Sequence, residues 1–214
     1  RIRLLGEGGA GQVWLVEDRR RPGTRFALKE ARGDRDDQTA ALRREFGTLA
    51  RLRHPGIVEA YEFDHSPEGN PRFTQDFVDG EPLAATVARE GAPGALQLTA
   101  EALRVLAFLH DFDLTHRDLK PSNFFLSAHG ARLLDFGLAR EVPKDVSRDL
   151  ASDGDLTRPG VILGTPGYMA PEQILGRDVG PHTDLFAVGI VLYEALSGHR
   201  PFPGDSAVQL LSAI

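Results

Sequence analysis

The chain has no cysteine, which excludes disulfides and thiolate metal sites. No apolar run is long enough to cross a membrane as a helix. No charged-then-apolar leader opens it. A basic surplus is also missing: 31 acidic against 25 basic residues give a net charge of −6, which argues against a nucleic-acid-binding surface. The histidines show no zinc-type spacing, and no internal repeat or low-complexity tract is visible. Hydrophobic residues are plentiful at 41% of 214, enough to build a sizeable core in one large or two small domains. The first residue is Arg1, and the last residues begin a new helical pattern, so the expectation is a segment of something longer.

The apolar periods divide the chain into two styles. Ile2–Glu7, Val13–Asp18 and Thr24–Ala31 read as strands separated by turn residues, the second turn being Arg20-Arg21-Pro22-Gly23. Gln38–Arg53 reads as a helix with Leu42, Phe46, Leu49 and Leu52 on one stripe, stopped by His54-Pro55-Gly56. Ile57–Phe63 and Arg72–Val78 read as two more strands. Beyond Asp79-Gly80 the chain turns helical, with a stripe at Leu98, Ala102, Val105, Leu106 and Leu109. Phe124–Leu126 and Ala131–Leu134 suit a hairpin, and 138–163 reads as a polar loop. Thr183–Ser197 is apolar nearly all round, the pattern of a buried helix, and Gly198 is placed to cap it.

Several segments carry chemistry. Gly6-Glu7-Gly8-Gly9-Ala10-Gly11-Gln12-Val13 spaces glycines so that backbone N–H groups can approach phosphate oxygens. Alone it fits an ordinary glycine-rich hairpin as well. A dinucleotide-binding turn opens a helix instead, whereas Val13-Trp14-Leu15-Val16 favours a strand. Glu45 falls on the apolar stripe of its helix, where an acid is costly unless paired. Lys29, closing Phe26-Ala27-Leu28-Lys29, is the expected partner. Glu30 points to the opposite face of the strand. His116-Arg117-Asp118-Leu119-Lys120-Pro121-Ser122-Asn123 puts a carboxylate, an ammonium and an amide on one short loop, and Asp135-Phe136-Gly137 follows an apolar run.

Those two segments, in that order, resemble the catalytic loop and metal-binding motif of eukaryotic-type (Hanks-type) Ser/Thr protein kinases. The resemblance covers nearly the whole chain. Its bacterial flavour comes from Leu163-Gly164-Thr165-Pro166-Gly167-Tyr168-Met169-Ala170-Pro171-Glu172-Gln173. It implies an α+β bilobal fold: a β-rich lobe with one helix over 1–78, and a mainly helical lobe over 79–214 that is incomplete. It implies transfer of the ATP γ-phosphate to Ser/Thr hydroxyls with Mg²⁺ as cofactor. Asp118 is then the base, Lys120 offsets phosphoryl charge, and Asn123 and Asp135 bind metal. Lys29 with Glu45 addresses the phosphates. Gly6, Glu7, Gly8, Gly9, Ala10, Gly11, Val13 and Ala27 cover the nucleotide. Asp76, Phe77 and Val78 form the adenine-binding hinge, with Gln75 at the back of the pocket. Asp184, with Thr183 and Gly189, anchors the catalytic loop or is a simple first-turn acid. Arg117 awaits a phosphate on the loop, with Thr157 the first candidate and Ser147 and Ser152 the next. Thr165 is a further regulatory candidate for modification, although the resemblance makes it a contact to Asp118 and Lys120. Glu172 expects an arginine beyond residue 214.

Expected partners are ATP, protein substrates and a second copy for trans-autophosphorylation, with no nucleic acid and no membrane contact in this segment. The expected setting is cytoplasmic, with any membrane anchor outside the segment. Two other readings remain at this stage. A pseudokinase would lack an equivalent of Lys29, Asp118, Asn123 or Asp135. A small-molecule kinase would lack the long loop ending in Ala170-Pro171-Glu172.

Overall fold

The computed structural model describes residues 1–8, 11–31, 36–136, 140–141 and 165–214. Gly9, Ala10, Gly137, Ser147, Ser152, Thr157 and Gly164 lie outside the described residues. Five antiparallel strands form the first layer: β1 (Arg3–Gly8), β2 (Gly11–Glu17), β3 (Arg25–Glu30), β4 (Ala60–His65) and β5 (Pro71–Asp76), in the order β1-β2-β3-β5-β4. Helix α1 (Asp36–Leu49) buries Leu42 and Leu49 and sets Phe46 against Phe73 of β5, ring centres 5.7 Å apart.

The second part is mainly helical. A short strand β6 (Gly80–Pro82) leads into α2 (Leu83–Asp111), which is interrupted at Gly91. Then come β7 (Leu114–Thr115), a single 3-10 turn at Pro121–Asn123, β8 (Phe124–Ser127), β9 (Gly130–Leu133) and β10 (Arg140–Glu141). A second turn at Pro166–Tyr168 precedes α3 (Pro171–Ile174), α4 (Pro181–Ser197) and α5 (Ala207–Ala213). Leu98, Ala102, Val105, Leu106 and Leu109 are buried, as their helical spacing requires. Gly198 ends α4 in the left-handed conformation (φ +77°), its N–H donating to the Glu194 carbonyl. The whole is an α+β fold with a β-sheet lobe and a helical lobe. No helix among the described residues is long and apolar enough to cross a membrane.

Three sequence expectations need correction. The strand expected over Ile57–Phe63 begins only at Ala60. Ile57 and Val58 are buried, but Ile57 bridges Leu133 of β9, and Leu133 N–H donates to the Gly56 carbonyl at 2.9 Å. Their apolarity serves contact between the two parts, not the sheet. The strand expected to reach Val78 stops at Asp76, leaving Phe77 and Val78 outside the ladder. Within the expected loop 138–163, Arg140 and Glu141 pair with Thr115 and Leu114. Strands β6 and β7 have too few residues to show a period.

Candidate active site

Lys29 on strand β3 stands between apolar cross-strand neighbours, Val13 of β2 and Phe73 of β5. Its ammonium donates to Glu45 Oε1 and Oε2 at 2.8 and 2.7 Å, and to Asp135 Oδ1 at 2.8 Å. Lys29 and Glu45 are buried, whereas the Asp135 side chain is 42% exposed. Burial alone would lower the Lys29 pKa, but the Glu45 and Asp135 carboxylates reverse that and hold it above the usual lysine range. Burial pushes the Glu45 carboxyl up, opposed by the Lys29 ammonium. Burial also pushes Asp135 up, but Lys29 outweighs it and leaves this carboxyl below the usual range. The pair that the helical stripe predicts is therefore present, and Asp135 joins it from 106 residues away.

The glycine segment is a hairpin, pairing Gly6 with Val13, Glu7 with Gln12 and Gly8 with Gly11. Gly11 has φ +129°, and an added Cβ would lie 2.1 Å from the Glu30 carbonyl oxygen, so the fold itself demands glycine there. At Gly6 an added Cβ would meet nothing within 4 Å. Packing therefore does not require that glycine. Close approach by a ligand would.

The loop between β7 and β8 gathers the second cluster. Asp118 Oδ2 accepts from Lys120 Nζ at 3.0 Å. Asp118 Oδ1 accepts from the Thr165 N–H and hydroxyl at 3.1 and 3.0 Å. Asn123 donates through Nδ2 to the Asp118 carbonyl at 2.8 Å, which fixes its amide, and its Oδ1 accepts from the Ser122 hydroxyl at 3.4 Å. The loop is held from below. Asp184, fully buried in the first turn of α4, accepts from the N–H groups of His116 and Arg117, both at 2.9 Å, and contacts His110 Nε2 at 2.8 Å. Arg117 and Asp135 adopt positive φ, +69° and +66°, and the Asp184 bond holds Arg117 in that conformation. His116 is buried with its ring 4.8 Å from Phe136 and its Nε2 3.3 Å from the Leu134 carbonyl oxygen.

Asp76 at the end of β5 accepts from the Tyr61 hydroxyl at 2.5 Å, from the Glu59 N–H at 3.1 Å and from Arg132 at 2.6 Å. Arg132 also donates to the Pro55 carbonyl at 2.6 Å. Arg132, Tyr61 and His110 carry no local sequence signal, and spatial placement alone reveals them. Near the C-terminal side, Glu172 accepts from the Thr183 hydroxyl at 2.6 Å and lies 3.3 Å from His182. Tyr168 donates to Glu194 at 2.6 Å. Burial, aided by that bond, raises the Tyr168 pKa.

Asn123 and Asp135 offer hard oxygen donors, which suit a divalent cation that takes few protein ligands. Among the described residues no group of three or more His, Cys, Asp or Glu could hold a metal by itself.

The model of the protein kinase domain matches residues 1–213. The chain is 37% identical over 217 residues, 96% of its length, to the serine/threonine-protein kinase PknA of Mycobacterium tuberculosis. It is 42% identical over 98% of its length to the DNA damage-responsive serine/threonine-protein kinase RqkA of Deinococcus radiodurans, and 36% identical over 97% to the serine/threonine-protein kinase PknB of Mycobacterium tuberculosis. It spans 48%, 31% and 33% of those proteins.

Proposed function

Because the chain belongs to the protein kinase domain family, we propose that it transfers the γ-phosphate of ATP to serine and threonine hydroxyls of proteins. The observation that carries this reading is the Lys29 ammonium bridging Glu45 and Asp135 in the same fold that gives Asp118 its contacts to Lys120 and Thr165. We take residues 1–78 as the lobe covering the nucleotide and 79–214 as the lobe carrying the acceptor.

Phosphoryl transfer asks for position and charge compensation more than covalent chemistry. Lys29 holds the nucleotide phosphates while Glu45 keeps its ammonium oriented. Asn123 and Asp135 hold the divalent cation, Mg²⁺ in our reading, which neutralises charge on the phosphates when bound. Asp118 orients the acceptor hydroxyl and takes its proton. Thr165 already donates to the same oxygen, so the acceptor hydroxyl joins an aligned carboxylate. Lys120 offsets charge on the phosphoryl group in flight. Residues Asp76, Phe77 and Val78 present hinge backbone to the base. The presence of Lys29, Asp118, Asn123 and Asp135 favours catalysis over a pure binding role.

Protein acceptors include a second copy of the chain, and Arg117 is the cation that would read a phosphate on 138–163, Thr157 first. ATP-dependent chemistry supports a cytoplasmic setting for this segment. The test is ³²P transfer from ATP by the full-length protein. Asp118→Asn is expected to lower the rate by roughly 10²–10⁴-fold with an unchanged melt. A wild-type rate in that variant would sink the assignment.

A further inference from the structure

The hairpin tip between β2 and β3 carries charge that the chemistry above does not use. Glu17-Asp18-Arg19-Arg20-Arg21-Pro22-Gly23-Thr24-Arg25 holds four arginines against two acids, a local charge of +2. The whole chain carries −6, so taking away this +2 leaves −8 on everything else. Arg19, Arg20, Arg21 and Arg25 are all exposed. The two acids beside them serve the turn itself. Glu17 stands opposite Arg25 in the ladder, but its carboxylate accepts from the Gly23 N–H at 2.6 Å. Asp18 accepts from the Arg20 N–H at 2.8 Å. The turn closes further as the Asp18 N–H donates to the Thr24 carbonyl and the Thr24 N–H to the Arg21 carbonyl, at 2.9 and 3.0 Å.

Elsewhere Arg53, Arg72, Arg89 and Arg132 each meet a carboxylate. Among the described residues the four arginines of the tip form no ion pair. A hydrogen-bonded turn therefore presents four guanidinium groups whose acceptors are not supplied by the fold, and the guanidinium fork matches a carboxylate. The charge around the tip narrows the partner. A wide anionic surface, such as a bilayer of acidic lipids or a nucleic-acid duplex, would face the −8 of the remaining chain as well. Residues 18–25 also offer no large apolar or aromatic side chain for insertion or base stacking. A single acidic stretch of polypeptide meets the tip alone.

Resting on the transfer reaction proposed above, we infer that the β2–β3 tip docks acidic polypeptide and recruits acceptor proteins that carry a run of Asp or Glu. The seven residues of β2 separate the tip from the glycine hairpin by about 23 Å, at ~3.3 Å per residue. The acidic run therefore lies well away in sequence from the Ser or Thr that is phosphorylated. No bond is made or broken at the tip. Docking raises the local concentration of the acceptor, so it acts on KM and leaves kcat alone.

The test compares the full-length protein with Arg19→Ala/Arg20→Ala/Arg21→Ala/Arg25→Ala, and with a control that removes exposed arginines elsewhere, Arg44→Ala/Arg104→Ala/Arg177→Ala. Binding of a fluorescent glutamate-tract peptide is read by anisotropy, with a glutamine-tract peptide as blank. Exposed ion pairs are individually weak, so losing four together should weaken binding by about 5- to 30-fold at low salt. The difference should shrink as salt is raised. The control should bind within about twofold of wild type, and all three proteins should melt alike because the substituted side chains are exposed. Turnover is then measured on two peptides with one acceptor sequence, joined to a glutamate or a glutamine tract by a Gly/Ser linker of about 20 residues, whose average span is about 25 Å. For wild type the glutamate tract should lower KM with kcat unchanged, and for the tip variant it should make no difference. Equal peptide binding by wild type and the tip variant would overturn the inference, as would an equal loss in the control. Binding to phosphatidylglycerol vesicles but not to the glutamate peptide would also overturn it, and so would equal KM values for the two substrates with wild type. Failure of wild type to phosphorylate either substrate would overturn the kinase reading instead, and the anisotropy would still decide whether the tip docks acidic peptide.

Discussion

Removing the Lys29 ammonium strands a carboxylate whose side chain is 4% exposed. Breaking a buried pair in this way costs about 3–5 kcal/mol. Lys29→Met should therefore lose phosphotransfer and unfold at lower urea. Glu45→Gln should cost less, about 1–3 kcal/mol, because Asp135 still satisfies Lys29 at 2.8 Å. The two variants also differ in pH dependence. Burial raises the folded-state pKa of Glu45, and Lys29 is what opposes the rise. Without Lys29 the folded state keeps a proton that the unfolded state releases. Stability is then present below the unfolded pKa and falls as pH rises toward the folded pKa. The urea midpoint of Lys29→Met should drop more steeply than that of wild type as pH rises above the ordinary carboxylate range. Parallel slopes would mean that Lys29 does not hold Glu45 ionised.

Helix α2 and the contact of β9 with the end of β5 each depend on one unusual connection. Gly91 sits at φ +65° and ψ −149° inside the helical run, with Pro93 just after it. That region is essentially closed to residues with a Cβ, so Gly91→Ala should lower stability by about 1–3 kcal/mol in urea titration. A neutral result would mean that the kink can straighten. Arg132 ties β9 to the end of β5 through Asp76 and to the Pro55 carbonyl. Both side chains are largely buried, so this link is worth more than a surface ion pair. Arg132→Met should speed amide hydrogen exchange at Glu59 and Asp76 by about 3- to 10-fold, leaving α4 unaffected. Unchanged exchange there would show that the Arg132 link does not hold this segment in place.

Across the whole molecule, apolar surface is distributed unevenly. Helix α4 buries Ala187, Val188, Ile190 and Val191 but leaves Leu185 53%, Tyr193 45% and Leu196 49% exposed. Its sequence is apolar nearly all round, so one face remains uncovered in residues 1–214. A contiguous exposed patch of this kind promotes association. Residues 1–214 by themselves should self-associate in light scattering at concentrations where a Leu185→Glu/Leu196→Glu variant stays monomeric. Because those side chains are half exposed, the double substitution should move the melting temperature little. Equal association of both proteins would place the sticky surface elsewhere.

The sequence by itself determined what depends on local pattern. Short-range spacing put Asp118, Lys120 and Asn123 on one loop. The helical period placed Glu45 on an apolar stripe and so demanded a cation. β-branched residues after the glycines forced a hairpin where a phosphate-binding helix was the alternative. Such features are legible because a period of two or 3.6 residues acts within a few turns of chain. Only the tertiary structure decided the rest. Asp135 reaches Lys29, Asp184 holds the loop 68 residues before it, and Arg132 meets Asp76 across 56 residues. The apolar run at Ile57–Val58 looked like a strand because burial leaves the same mark whether a residue packs in a sheet or between two layers. Gln75 was equally silent: its amide oxygen is enclosed with no hydrogen-bond partner among the described residues, and whether a buried amide finds one depends on which strands end up beside it.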